Sequence, residues 1–119
     1  MRPMADPGEW RCDVDALPPG ATAKFRLTCH GRVVDGFAVN HEGQLHAYVN
    51  RCAHVGTPLD LWPNEFLAED GRTIVCATHG ALYAPDTGLC TAGPCAGDRL
   101  IRLPVRVEER AVVVRCAER

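Results

Sequence analysis

Two short segments carry the residue types that do metal chemistry, Cys52-Ala53-His54 and Cys76-Ala77-Thr78-His79. Each sets a thiolate donor and an imidazole donor within a few positions of one another. An extended strand would send residues 52 and 54 to one face without curling them around an ion, so the residues that follow matter. Gly56, Thr57 and Pro58 come after the first pair and Gly80 after the second. Glycine also lets backbone N–H groups approach a sulfur closely. Two Cys and two His can bind one Zn²⁺ tetrahedrally. Zinc fingers, however, tend to take both Cys from one segment and both His from another, whereas here each segment contributes one of each. A binuclear iron–sulfur centre has a use for that arrangement. Two thiolates take one iron, two imidazoles take the other, and both segments clamp both metals.

The elements that must position these donors read as β-structure. Short β-rich runs recur between turn residues and helical periodicity is almost absent. Strands are predicted over Ala23 to Cys29, Arg32 to Val39, Leu45 to Val49, Thr73 to Cys76 and Ala81 to Ala84. Leu100 to Val107 and Ala111 to Arg115 read as a closing hairpin. Pro104 within the first of these favours an edge or a bulge. A helical turn or two is expected only around Asn64 to Glu69. The fold class expected is therefore all-β, an antiparallel β-sandwich or barrel. Residues 1–9 are expected to fray, and 10–119 to form a single domain.

Composition narrows the function classes. Thirteen Lys and Arg against fifteen Asp and Glu give a net charge of −2 with no basic stretch, so nucleic acid is not an expected partner. No apolar run is long enough to span a bilayer. Met1 to Trp10 lacks the basic region and apolar stretch of a secretory signal, which makes a cytoplasmic location the expectation. Seven cysteines in 119 residues then favour metal binding over disulfides. Cys12, Cys29 and Cys116 are expected as core fillers, and Cys90 and Cys95 as buried free thiols flanking Gly93-Pro94. His30, His41 and His46 lack a Cys or acidic partner at ligand spacing and read as turn or strand histidines. Trp10 and Trp62 read as packing residues.

The motifs resemble those of the Rieske family. The first reads Cys52-Ala-His54-Val-Gly56-Thr-Pro58-Leu59. The second reads Cys76-Ala-Thr-His79-Gly80-Ala-Leu-Tyr83, followed by Asp86-Thr-Gly88. Gly93-Pro94 with the run after it resembles the family's proline loop. The resemblance implies one [2Fe–2S] cluster per chain, held by Cys52, His54, Cys76 and His79. It also implies a small cluster-binding subdomain over about residues 50–95, with the two His reaching the surface at its tip. Gly56, Thr57, Gly80, Ala81, Tyr83, Gly93 and Pro94 would surround the cluster. The 21 residues between His54 and Cys76 exceed the family's usual spacing. The surplus is expected as a surface excursion over Trp62 to Gly71, costing well under about 1 kcal/mol in loop closure.

High-potential members carry an extra cysteine in each loop and a serine after the second His. Here those positions hold Thr57, Thr78 and Ala81, whereas a tyrosine is kept at Tyr83, whose hydroxyl could reach the Cys52 sulfur. A low-to-middle potential is therefore expected. By resemblance, the function is one-electron transfer by a soluble ferredoxin, carrying electrons from a reductase to an oxygenase. On this reading the protein is a carrier and not an enzyme. Alternatives are an electron-transfer subunit of a larger reductase, similar to the small subunit of nitrite reductase, a redox-sensing module, or a structural zinc domain.

Overall fold

In the computed structural model, residues 8–51, 59, 66–68, 71–76, 80–93 and 97–117 are described. Among the described residues ten strands fall into three antiparallel sheets, so the fold is nearly all-β as expected. The first sheet has the order β1-β10-β9, from Glu9–Asp13, Ala111–Arg115 and Val105–Glu108. The second is β2-β3-β4-β8, from Thr22–Cys29, Arg32–His41, Gln44–Val49 and Arg102–Leu103. The third is β5-β6-β7, from Ile74–Val75, Leu82–Tyr83 and Cys90–Ala92. Among the described residues the helical content is one 3-10 turn, Val14–Ala16, and no helix is long and apolar enough to cross a membrane.

Alternation builds the second sheet. In β2, Phe25 and Leu27 point inward while Lys24, Arg26 and Thr28 face out, the period-2 pattern of a half-buried strand. From Gly36 to Asn40, β3 is buried on both faces, because the second sheet is a wall between two cores. On one side Ala38 and its cross-strand neighbour Ala47 join Leu17, Phe25, Leu27, Leu103, Val112 and Val114. The first sheet closes this core from the opposite side. On the other side Phe37, Val39 and Tyr48 meet Leu59, Phe66, Ile74, Tyr83 and Cys90, which carry the third sheet. Phe37 stacks on Phe66 at 4.1 Å between ring centroids, and Trp10 stacks on Phe25 at 4.9 Å, so Trp10 is the packing residue expected.

Five expectations need correcting. The run Leu100 to Val107 is not one strand of a hairpin. It breaks at Pro104, with β8 pairing β4 in the second sheet and β9 pairing β10 in the first. Proline supplies no N–H to a ladder, so the chain changes sheets there. Glu9, placed in a fraying terminus, opens β1 opposite Arg115. The described part of the expected helix, Phe66 to Ala68, is extended. Leu67 bridges Ile74, and the Val75 N–H donates to the Phe66 carbonyl at 2.8 Å. With Phe66 fully buried, this part of the Trp62 to Gly71 stretch is anchored in the core and not a surface excursion. Lastly, Cys29 and Cys116 are bonded to each other as a disulfide. Both positions are half-buried, at the end of β2 and just past β10.

Candidate metal centre

Cys76 leaves β5 as a fully buried residue. Its N–H donates to the Ala81 carbonyl at 2.8 Å, and its carbonyl accepts from the Gly80 N–H at 2.7 Å. These two bonds close the backbone on either side of residues 77–79, the stretch that carries His79. Gly80 sits at φ +71°, in the left-handed region that a side chain disfavours. Cys52, His54 and His79 lie outside the described residues, as do Gly56, Thr57, Thr78, Pro58, Trp62, Pro94 and Cys95.

Two residues that frame the first segment are described, and they anchor it. The Leu59 N–H donates to Asn50 Oδ1 at 2.8 Å, and the Asn50 N–H donates to the Asp35 carbonyl at 2.8 Å. Both residues are buried, Leu59 completely. Asn50 thus ties both ends of the segment bearing Cys52 and His54 to the end of β4. The expected surroundings did not include Asn50. An asparagine after a strand reads as turn chemistry, and its partner nine positions on leaves no periodic mark.

A third loop approaches the second. The Cys90 N–H donates to the Asp98 carbonyl at 2.7 Å, closing the stretch that holds Gly93. A Cβ on Gly93 would lie 2.9 Å from the Ala81 Cα, so only glycine lets the two backbones meet. The Cys90 thiol donates to the Ala92 carbonyl at 3.3 Å. Beneath these loops, Tyr83 and Ala81 are completely buried, and Ala81 provides no hydroxyl where the high-potential members have one.

Tyr48 is a further positioning residue that sequence reasoning passed over. Its hydroxyl donates to the Pro85 carbonyl at 2.6 Å, and Arg102 bonds the Asp86 carbonyl. Together they hold the Pro85-Asp86-Thr87-Gly88 turn, and with it β6 and β7, against β4. Burial raises the Tyr48 phenol's pKa, with Arg102 opposing the rise, so the hydroxyl stays a proton donor to Pro85.

These observations fit a metal cluster. A buried thiol stands at the mouth of a closed turn, an asparagine clamps the other donor segment, and a glycine contact brings a third loop against the second. The frame sits on an all-β scaffold. The sequence comparison then supplies the family: the model of the Rieske [2Fe-2S] domain matches residues 10–115, and the chain belongs to it.

Solved structures share the fold. The ferredoxin of carbazole 1,9a-dioxygenase from Nocardioides aromaticivorans IC177 is 25% identical with a TM-score of 0.66, over 89% of this chain and 94% of that one. A chain from a complex of reduced oxygenase and oxidized ferredoxin in carbazole 1,9a-dioxygenase is 23% identical with a TM-score of 0.73, over 94% and 96%. The terminal oxygenase of carbazole 1,9a-dioxygenase from Novosphingobium sp. KA1 is 21% identical with a TM-score of 0.74 over 93% of this chain. The chain spans only 30% of that oxygenase's length. No curated protein sequence matches.

Proposed function

We propose that the protein is a one-electron carrier of the ferredoxin type, with a [2Fe–2S] cluster held by Cys52, His54, Cys76 and His79. The observation that carries this reading is the family match over residues 10–115 together with the near full-length likeness to a dioxygenase ferredoxin. An oxygenase is the acceptor proposed and a reductase the donor, with docking proposed on the side that bears the His54 and His79 ligands. Residues 10–119 then act as one domain.

When bound, such a cluster takes up and releases single electrons. The chain's own part is to hold it still and keep it dry. Asn50 and Leu59 fix the first donor segment, while Gly80 and Ala81 fix the second. Phe37, Phe66 and Tyr83 pack the floor below. Two neutral imidazoles in place of thiolates remove negative charge and ease reduction, so such centres lie at about −150 to +300 mV. Ala81, Thr57 and Thr78 put this protein in the lower or middle part of that window.

Absorption and EPR spectra of anaerobically purified protein, before and after dithionite, test the reading. Visible bands that bleach and a rhombic signal at low average g are expected, with loss of iron in Cys76→Ala. A colourless protein holding one zinc would overturn it. Replacement Tyr83→Phe is expected to lower the potential by about 40 mV, the equivalent of one hydrogen bond of about 1 kcal/mol to a sulfur.

The likeness to part of an oxygenase chain supports a second reading, in which the same domain serves as the electron-entry unit of a larger enzyme. Stable co-purification with a catalytic subunit would favour it over a free carrier.

A further inference from the structure

The Cys29–Cys116 disulfide is not sealed in the core. Cys29 lines an open groove of about 400 Å³ together with His30, Arg32, Ile101, Leu103 and Ala117. The groove has an apolar side, where Ile101 is 57% exposed, and a cationic rim, where Arg32 stands directly across the ladder from Cys29. Ala117 places the chain next to Cys116 in the same groove. Three features thus coincide: a half-buried disulfide, an apolar seat beside it, and a guanidinium that favours an approaching thiolate.

We propose that this groove is a thiol–disulfide exchange site for a cysteine-bearing peptide segment of a dithiol protein. It gives the chain a two-electron couple separate from any metal. The partner's thiolate attacks Cys29 Sγ, the S–S bond breaks, and Cys116 leaves as a thiolate that takes a proton from solvent. The partner's second thiolate then attacks the mixed disulfide and releases Cys29, which is protonated in turn. Two electrons and two protons pass from the dithiol to this chain, and the partner is left as a disulfide. Attack falls on Cys29 because Cys29 is the cysteine that lines the groove. The consequence is mechanical. The disulfide ties β2 of the second sheet to the end of β10 in the first, so exchange unfastens one sheet from the other at this edge.

The test uses the full-length protein in native buffer, with iodoacetamide alkylation read by mass spectrometry. Alone, iodoacetamide should leave Cys29 and Cys116 unlabelled. A synthetic peptide carrying a Cys-x-x-Cys dithiol should expose both to labelling together, at a rate proportional to peptide concentration and well above the rate of global unfolding. Ile101→Glu and Arg32→Glu should each slow the peptide's reaction severalfold, while the reaction with dithiothreitol, too small to need the apolar seat, changes little in Ile101→Glu. Labelling without any reductant, opening only at the unfolding rate, or a peptide rate in either variant unchanged from that of the unaltered protein would each overturn the proposal.

Discussion

His46 shows how one residue records a conflict between pattern and burial. It lies on β4 beside Val39, on the face that carries Tyr48. Its Nε2 is buried and has no hydrogen-bond partner among the described residues. Burial lowers its pKa below 6.5, aided by Arg102 and His41 and opposed by Asp86. The fold therefore accommodates the neutral ring, while the unfolded chain binds a proton more readily. Stability from this residue is complete above about pH 6.5, falls as the pH drops toward the lower folded pKa, and levels off below it. The thermal midpoint should fall between pH 7.5 and 5.5, and His46→Leu should flatten that difference. An unchanged pH slope in the variant would place the titration elsewhere. At this scale the sequence was a fair guide to residue type: His46 is the strand histidine expected, and His30, at φ 53°, the turn histidine. The cost of burying one ring nitrogen depends on neighbours 40 and 56 positions away, Asp86 and Arg102, which no local pattern could show.

At the scale of elements, the loops are held by the strands from which they emerge. Asn50 matters most, since its side chain reaches the Leu59 N–H. Asn50→Ala would leave a buried N–H unsatisfied at a cost of about 1–3 kcal/mol and free the segment bearing Cys52 and His54. Lower iron content per chain and a lower thermal midpoint are expected, with partial rescue in Asn50→Asp, which keeps the acceptor. Normal iron loading in the alanine variant would show that Leu59 is held by packing alone. The longer strands rich in β-branched and apolar residues, β2, β3, β4 and β10, were legible in advance. β1 and β7 were not. β1 has five residues, two of them acidic and one basic, and it exists because β10 lies beside it, with Glu9 paired to Arg11 and Arg115. β7 is three residues long and two are exposed, so burial leaves almost no trace in its sequence.

Across the whole molecule, two cores share one wall, and the disulfide secures the side away from the third sheet. Cys29 and Cys116 are 87 positions apart, so the bond restricts the unfolded chain strongly and should contribute about 2–4 kcal/mol. A Cys29→Ser/Cys116→Ser double variant should melt several degrees lower than the oxidised protein. The dithiol-treated protein should melt near the variant. Equal midpoints for the oxidised protein and the double variant would show that the bond contributes nothing to stability.

What the sequence determined by itself is local pattern. The Cys-x-His and Cys-x-x-His spacing, the glycines after each pair, the alternating strands and the turn residues all act within a few positions, where covalent geometry links residue type to conformation. The tertiary structure decided what depends on distant partners. Pro104 became a passage between sheets because β4 and β10 take opposite sides of it. Gly93 is required because Ala81 stands against it, and Phe66 is core because Phe37 lies under it. Two cysteines read as separate core fillers became a pair because the ends of β2 and β10 meet. Each of these contacts joins residues far apart in the chain, and the free energy that selects them arises only when the whole chain packs.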